Sequence, residues 1–284
     1  MSSKIIAYQG EPGANSHMAC ADVYPGWETL PCASFEDAFA AISEGRAALG
    51  MIPIENSLAG RVADIHHFLP GSDLHIIGEY FLPIHFHLLA VKGAGIEDLR
   101  SVYSHVHALG QCRKIIRQHN LKPVITGDTA GSAREVAEWG DKTRASLAPL
   151  MAAEIYGLDV LARFVEDEDH NTTRFVILSR EARRPPPGAG PTLTTFIFRV
   201  RNVPAALYKA LGAFATNNVN MTKLESYMVN GEFAATQFLV DVEGHPEDAN
   251  LGRALEELQF FSEEVRILGT YPAHPFRLRM GERA

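Results

Sequence analysis

The sequence has few cysteines, no long apolar run and no excess of positive charge. Its three cysteines, Cys20, Cys32 and Cys112, are scattered and odd in number, so neither a disulfide framework nor a cysteine metal site is expected. No apolar stretch approaches the roughly 20 residues that cross a bilayer, and the N-terminus lacks the apolar region of a signal peptide. These absences predict a cytoplasmic protein without a membrane partner.

The charge balance also limits the choice of ligand. A formal net charge of −8 at pH 7 argues against nucleic acid or an anionic membrane surface as the main partner, because both require a basic surface. Any anionic ligand would therefore be met by Arg, Lys and backbone N–H groups placed locally. The chain has 284 residues, 46% of them hydrophobic, which is enough for two or three domains.

A segment rich in Pro and Gly at 183–191 is the clearest boundary, because it can form neither helix nor sheet. Before it, in 1–182, short apolar strands alternate with helix-like segments, which predicts an α/β fold with a largely parallel sheet. The number of elements favours two lobes with a cleft between them. After it, in 192–284, the order strand, helix, strand, strand, helix, strand is that of a ferredoxin-like βαββαβ fold.

Some individual elements of the first part are also predicted. Ser34 should begin a helix, because Asp37 follows three residues later and apolar residues recur with helical spacing. A continuous strand is expected over 84–91 and a single helix over about 109–119. In the second part, Asn230 and Gly231 are expected to form a hairpin turn.

Polar motifs follow four of the predicted strands, where open α/β sheets bind their ligands. They are the Gly10 to Ser16 turn, Glu55-Asn56-Ser57, Ser104-His105 with Gln111, and Asp128-Thr129-Ala130. A fifth polar stretch, His170 to Phe175, combines threonine hydroxyls with an arginine that can bind a carboxylate. Each motif alone is typical of a cap or turn, but their recurrence at strand ends indicates a site for an anionic small molecule.

These motifs resemble those of prephenate dehydratases that carry a C-terminal ACT regulatory domain. The most specific matches are Pro53-Ile54-Glu55-Asn56-Ser57 with Gly60, Asp128-Thr129-Ala130, and Thr173-Arg174-Phe175, which occur in the order and spacing of the family. The resemblance covers nearly the whole chain. It departs from the family at Val106 and His107, where Pro and Gln are usual, and at Ala14-Asn15, where a hydroxyl and an aromatic residue are common.

The resemblance implies a two-lobed dehydratase domain, similar to periplasmic binding proteins, with the active site in the cleft. It implies conversion of prephenate to phenylpyruvate, water and carbon dioxide in phenylalanine biosynthesis, with no cofactor and no metal. Thr173 matches the threonine that assists departure of the ring hydroxyl. The other expected catalytic residues are Glu55, Asn56, Ser104 and Gln111, and the expected substrate contacts are Ser57, Thr129, Ala130, Thr172 and Arg174.

Two of these roles have alternatives. An ionised Glu55 would repel a dianionic substrate, so Glu55 is expected either to be protonated or to turn away and orient Asn56 or a basic group. Arg174 either contacts a substrate carboxylate or braces the loop from behind. Neighbouring residues of an extended segment point in opposite directions, which favours bracing if Thr173 faces the cleft.

Two histidine pairs, His85 with His87 and His105 with His107, place their imidazoles on one face of an extended segment. Neither pair has a third ligand at a defined spacing, so a zinc site is not expected. His105 is the better candidate for a functional residue, because it directly follows a strand.

In the second part, the resemblance implies that L-phenylalanine binds between paired ACT domains and inhibits the enzyme, which implies a homodimer or homotetramer. The expected effector residues are Asn202, Pro204, Ala205, Ala206 and Leu207 of one motif, with Ala205 in place of the usual Gly, and Glu225 and Ser226 of the other. Tyr227 and Met228 replace the Arg and Pro of the family. A domain that serves mainly for dimerisation is the alternative.

Two other functions remain open. One is the same chemistry on arogenate, whose side chain bears an amine instead of a keto group. The other is a non-catalytic solute-binding or amino-acid sensor protein, which would need anion contacts but not the full donor set of Thr173, Asn56, Ser104 and Gln111.

Overall fold

The computed structural model describes residues 4–62, 65–201, 203–228 and 235–277 of the chain. The chain divides into two compact units, one formed by Met1–Ile65 and Tyr80–Phe175 and the other by His66–Glu79 and Val176–Ala284. No helix of the described ranges is long and apolar enough to cross a membrane.

The strands, in chain order, are β1 (Ile5–Gln9), β2 (Glu28–Cys32), β3 (Leu49–Asn56), β4 (Gly60–Arg61), β5 (His75–Pro83), β6 (His87–Ala90), β7 (Ser101–Ser104), β8 (Lys122–Ile125), β9 (Arg144–Ala148), β10 (Asp159–Ala162), β11 (Thr172–Ser179), β12 (Thr192–Val200), β13 (Met221–Met228), β14 (Ala235–Glu243) and β15 (Ser262–Pro272). The helices are α1 (Asn15–Val23), α2 (Phe35–Ser43), α3 (Ile65–Gly71), α4 (Val106–Gln111), α5 (Arg113–Gln118), α6 (Thr129–Trp139), α7 (Leu150–Tyr156), α8 (Ala206–Thr216) and α9 (Ala249–Phe261).

The first two sheets form the predicted two-lobed α/β architecture. One sheet has the order β2-β1-β3-β11-β5, with β4 paired to β3, and the other has the order β10-β6-β9-β7-β8. β1 runs parallel to β2 and β3, and β7 runs parallel to β8 and β9. The α/β class is therefore confirmed, and the loops after β1, β3, β7 and β8 lie at the carboxyl ends of these strands, where such sheets bind ligands.

Helix α2 begins as the sequence predicts. The Ser34 hydroxyl accepts a hydrogen bond from the Asp37 N–H at 3.1 Å and donates to the Asp37 carboxylate at 2.8 Å. This cap satisfies an N–H group that the first helical turn leaves without an intrahelical acceptor. Phe39 and Ile42 then lie on the buried face of the helix.

The predicted helix over 109–119 is wrong, because two helices occupy this region. The chain leaves the helical conformation at Cys112, with φ −122° and ψ 34°. The Asp167 carboxylate accepts hydrogen bonds from the N–H groups of Arg113 and Lys114, both at 3.0 Å. A residue far along the chain therefore caps the second helix and allows the break.

The predicted strand over 84–91 is also interrupted, since β5 ends at Pro83 and β6 begins at His87. The Ile84 N–H donates to the Asn171 carbonyl at 2.8 Å, and the Phe86 N–H donates to the Glu166 carboxylate at 2.9 Å. These partners satisfy the backbone groups that a continuous strand would have used in a ladder.

The third sheet has the order β13-β14-β12-β15 and is antiparallel at each pairing. With α8 and α9 it forms the predicted βαββαβ order of a ferredoxin-like fold. Its core contains stacked aromatic rings, such as Phe196 on Phe214 and Phe198 on Phe238, with the ring centroids 5.7 and 5.1 Å apart. The expected turn at Asn230 and Gly231 lies outside the described residues.

The second unit also contains a segment from early in the chain. Arg277 donates two hydrogen bonds to the buried carboxylate of Glu79, at 2.8 and 2.9 Å. Arg266 donates to the carbonyl oxygens of Pro70 and Ser72. Residues 183–191 contain no helix or strand, but the division into units does not coincide with that segment, because these contacts place His66–Glu79 with the C-terminal part.

Candidate functional site

A cavity of about 230 Å³ lies in the first unit, where residues that follow strands of both sheets converge. Its lining residues are Asn15, Asn56, Ala59, Ile84, Phe86, His105, His107, Ala108, Gln111, Asp128, Thr129, Asn171 and Thr173. Four of the predicted site residues are among them: Asn56, Gln111, Thr129 and Thr173.

The Asn56 side chain is held in one orientation. Its Oδ1 accepts hydrogen bonds from the backbone N–H groups of Leu58 and Ala59, at 3.0 and 2.8 Å. Because a backbone N–H can only donate, this oxygen cannot be exchanged with the amide nitrogen. The Nδ2 of Asn56 therefore points the other way, and it donates to Asn171 Oδ1 at 2.7 Å and to Thr173 Oγ1 at 2.9 Å.

This orientation fixes the direction of the bonds that follow. Thr173 Oγ1 accepts from Asn56, so the hydroxyl hydrogen of Thr173 is available to a molecule in the cavity. Asn171 in turn donates from Nδ2 to Gln111 Oε1 at 2.7 Å, which leaves the amide hydrogens of Gln111 available as well. The cavity wall therefore presents hydrogen-bond donors, which suits an anionic or oxygen-rich ligand.

Glu55 and Arg174, the neighbours of Asn56 and Thr173 on the same two strands, do not face the cavity. Arg174 is only 2% exposed, and its Nη1 donates to Glu55 Oε1 at 2.8 Å. Neither residue lines the cavity. Arg174 therefore lies where the bracing role requires it, and Glu55 is turned toward a basic group.

Ser104 and Ala130 also lie away from the cavity, contrary to expectation. The Ser104 hydroxyl is fully buried and donates to the Leu147 carbonyl at 2.6 Å. Ala130 packs into the core between α6 and the second sheet. Both follow strands, but their side chains point into the protein, so neither the Ser104 hydroxyl nor the Ala130 methyl lines the cavity.

Ser57 and Thr172 connect two backbone segments at the edge of the site. The Ser57 hydroxyl donates to the His170 carbonyl at 2.8 Å and accepts from the Thr172 N–H at 2.9 Å. The Ser57 N–H donates to the Thr172 carbonyl at 2.9 Å. These bonds position the start of β11, and neither Ser57 nor Thr172 is part of the cavity lining.

Asn171 and Asp128 line the cavity but were not predicted as site residues, whereas His105, also in the lining, was a candidate functional residue. Asn171 bonds Asn56 to Gln111, and the signal that it belongs to the site is its place in the polar stretch that contains Thr173. Asp128 caps α6 through a 2.6 Å bond from the Gly131 N–H to its carboxylate. Burial lowers the pKa of His105, and the neighbouring His107 lowers it further while Asp128 opposes this.

The loop after β1 packs against α6 and α7. Gly13 has φ +91°, and a Cβ there would lie 2.7 Å from Ala152 Cα, so only glycine fits. Arg134 donates to both carboxylate oxygens of Glu11, at 2.7 and 2.9 Å. These bonds are the main cause that lowers the pKa of Glu11.

Thiol and metal chemistry find little support at this site. The three cysteines are buried, and burial raises the pKa of each thiol. His85 is paired with Glu166 at 2.6 Å. Within the described ranges, no group of three or more His, Cys, Asp or Glu side chains could hold a metal ion.

The predicted effector residues lie in the second unit. Pro204 to Leu207 form the start of α8, while Glu225 and Ser226 lie on β13, an edge strand of the third sheet. Asn202 lies outside the described residues. A larger cavity of about 810 Å³ in this unit is lined by the end of α8 and the start of α9, and it contains none of these residues.

The chain is similar to known proteins over nearly its whole length. The family model described as "Prephenate dehydratase" matches residues 6–183. The bifunctional N-acyl-homoserine lactone acylase/prephenate dehydratase of Komagataeibacter europaeus is 55% identical over 96% of this chain and 98% of that protein. Arogenate dehydratase 2 of Petunia hybrida is 37% identical over 94% of this chain and 71% of that protein.

A solved structure is similar over nearly the same length. The prephenate dehydratase of Arthrobacter aurescens in complex with L-Phe is 33% identical, with a TM-score of 0.85, over 95% of this chain and 90% of that one. Since the overlap includes the third sheet as well as the first two, the likeness extends over both compact units.

Proposed function

Because the chain belongs to the prephenate dehydratase family, we propose that it converts prephenate to phenylpyruvate, water and carbon dioxide, as a carbon–oxygen lyase of phenylalanine biosynthesis. The observation that carries this proposal is the fixed direction of the bonds around Asn56. It leaves the Thr173 hydroxyl and the Gln111 amide as donors at the cavity wall.

The reaction needs little from the protein. As the ring carboxylate leaves as carbon dioxide, its bonding electrons enter the ring and the 4-hydroxyl leaves with its own electron pair, taking a proton to become water. Negative charge develops on the departing oxygen, so a hydrogen bond from Thr173 becomes stronger in the transition state than in the ground state. The aromatic product makes the reaction strongly downhill.

The residues around Thr173 hold it and Gln111 in the orientation that the reaction requires. Asn56 holds the threonine oxygen, and Asn171 connects Asn56 to Gln111 across the cavity. Arg174 and Glu55 brace the two strands from behind. We assign the catalytic role to Thr173, a substrate contact to Gln111, and positioning roles to the others.

Purified protein incubated with prephenate tests the proposal, with phenylpyruvate followed by its absorbance in base. Wild type should turn over, and Thr173→Val should lose about 10²–10³ in kcat, the range for loss of one such donor. Thr173→Ser keeps the hydroxyl and should keep most activity. No turnover by wild type would overturn the proposal.

Arogenate is the alternative substrate, favoured by the 37% identical arogenate dehydratase. The same donors serve both reactions, because the ring that loses water and carbon dioxide is identical. A parallel assay that measures phenylalanine from arogenate ranks the two substrates by kcat/KM. A higher kcat/KM for arogenate would replace prephenate as the proposed substrate.

Hydrolysis of N-acyl-homoserine lactone is a second candidate, favoured by the name of the 55% identical relative. In that reaction water adds to the acyl carbonyl and the amide C–N bond breaks, which releases a fatty acid and the amine of homoserine lactone. Burial raises the pKa of all three thiols, and buried thiols of raised pKa are poor nucleophiles, which argues against a cysteine mechanism. Failure to release the amine, at enzyme amounts that turn over prephenate, would eliminate this candidate.

For the C-terminal βαββαβ fold we propose an ACT domain that binds L-phenylalanine between two copies in a dimer. The support is the complex of the similar Arthrobacter aurescens enzyme with L-Phe and the position of Glu225 and Ser226 on an edge strand. Calorimetry should show binding, and kcat/KM should fall with phenylalanine. No heat and no inhibition at millimolar ligand would leave dimerisation as the function of this fold.

A further inference from the structure

The lining of the cavity contains no arginine or lysine, although prephenate carries two carboxylates. Arg174 is buried and paired with Glu55. The ionisable side chains in the lining are His105, His107 and Asp128. Among the described residues that line the cavity, the side chains that can carry positive charge are therefore the imidazoles of His105 and His107.

The two imidazoles differ in their exposure and in their hydrogen bonding. Their ring centroids are 5.1 Å apart, so charge on one disfavours charge on the other. His105 is half-buried, and burial lowers its pKa. His107 is exposed to solvent, and it lines both the cavity and an adjoining recess. His105 Nδ1 also accepts a hydrogen bond from the His107 N–H at 3.4 Å, so His107 is the imidazole of the pair that is placed to meet a ligand.

The charged groups around His107 leave it able to bind a ligand. In the recess it is accompanied by Arg113, Asp167 and Glu168. The Asp167 carboxylate already accepts from the N–H groups that begin α5. In the cavity Asp128 accepts from the Gly131 N–H.

The chemistry indicates which carboxylate a cation here should hold. A cation bound to the ring carboxylate would stabilise the group that must leave as carbon dioxide, and would thus slow the reaction. A cation bound to the carboxylate of the oxo-acid side chain does not raise the activation free energy, because the charge on that carboxylate is unchanged through the reaction.

We propose that His107 binds the side-chain carboxylate of the substrate through a charge-assisted hydrogen bond and selects oxo acids over amino acids; this rests on the proposed dehydratase function. In arogenate an ammonium group stands beside the same carboxylate, and it would be repelled by the imidazolium. The glutamine usual at this position can donate a hydrogen bond but carries no charge, and neutral bonds are about half as strong.

Kinetics of His107→Gln test this proposal. Its KM for prephenate should rise roughly tenfold at nearly unchanged kcat, because the lost contact acts equally in the ground and transition states. The ratio of kcat/KM for prephenate to that for arogenate should fall. His107→Lys keeps a cation and should recover most of the loss, and His119→Gln, outside the cavity, serves as the control. An unchanged KM in His107→Gln would overturn the proposal.

A binding measurement separates this inference from the proposed function. Phenylpyruvate keeps the side-chain carboxylate, and its binding requires no turnover. The dissociation constant of phenylpyruvate should rise roughly tenfold in His107→Gln and not in His119→Gln. Absence of turnover in wild type would overturn the proposed function, whereas turnover with equal product binding in wild type and His107→Gln would overturn only the role of His107.

Discussion

At the scale of single residues, the direction of a hydrogen bond matters as much as its length. Asn56 is oriented by two backbone N–H groups, and that orientation decides whether Thr173 donates or accepts. If the Asn56 amide were flipped, its oxygen would accept from Thr173, and the threonine hydroxyl hydrogen would point toward Asn56 and away from a ligand. The site therefore depends on the backbone turn after β3 as well as on its side chains.

Asn56→Asp tests this dependence. A carboxylate at this position accepts from Thr173, so the hydroxyl hydrogen is withdrawn from the cavity. We expect kcat to fall about 10²-fold, comparable to loss of one transition-state donor.

A double-mutant cycle identifies the cause. Adding Thr173→Val to Asn56→Asp should lower kcat little further, because both substitutions remove the same hydrogen bond from Thr173 to the substrate. Additive losses in kcat would contradict the positioning role of Asn56.

At the scale of elements, α8 begins at a strained residue. Ala205 precedes the helix in the left-handed conformation, with φ 63° and ψ 10°, which costs an L-residue about 1 kcal/mol or more. Glycine, the residue usual in the family, adopts this conformation freely.

Ala205→Gly is therefore expected to stabilise the protein by about 1 kcal/mol. Urea unfolding of the full chain measures the change. Ala206→Gly, one residue later and inside the helix, should have the opposite sign and cost about 0.5–1 kcal/mol. Destabilisation by both substitutions would show that the left-handed conformation at Ala205 is not strained.

Local sequence patterns predicted elements whose causes are local. The cap of Ser34 on Asp37 and the βαββαβ order of the C-terminal part both depend on neighbours in sequence. The break at Cys112 could not be predicted in this way, because the capping carboxylate of Asp167 comes from a distant segment. Position after a strand identified Asn56, Gln111, Thr129 and Thr173, but it could not show that Ser104 points into the protein.

At the scale of the whole molecule, some ion pairs connect segments far apart in sequence, and two of them can be compared. Glu11 after β1 pairs with Arg134 on α6 in the first unit, and Glu79 pairs with Arg277 in the second. Their exposure differs, since the Glu11 side chain is 33% exposed and that of Glu79 is 0% exposed. The two pairs should therefore differ in their contribution to stability.

The first pair should give an acid-sensitive contribution to stability. Arg134 lowers the pKa of Glu11, so the contribution is complete above the ordinary carboxyl pKa and is lost as pH falls through the lowered value. Glu11→Gln should cost up to about 1 kcal/mol at pH 7, and its difference from wild type should shrink below about pH 4. Unfolding midpoints against pH measure this, with Glu135→Gln as the control. A constant difference would contradict the assignment.

The pair of Glu79 with Arg277 should contribute more to the free energy of unfolding than the pair of Glu11 with Arg134. Arg277→Met removes the two hydrogen bonds and the positive charge that Arg277 supplies to the buried Glu79 carboxylate, and breaking such a buried pair typically costs about 3–5 kcal/mol. Unfolding of the full chain in urea should show a correspondingly lower midpoint. Combining it with Glu79→Met removes both charges and should recover part of the loss, and a double variant no better than the single one would contradict this account.

The grouping of His66–Glu79 with the C-terminal part also bears on how the protein could be divided. The segment rich in Pro and Gly at 183–191 is the place where the sequence suggests separating an N-terminal part from a C-terminal part. A fragment ending there would keep Glu79, Pro70 and Ser72 but lose Arg277 and Arg266, which bind them. Replacement of the C-terminal fold by an unrelated domain during evolution would therefore also require changes in His66–Glu79, which this fold binds.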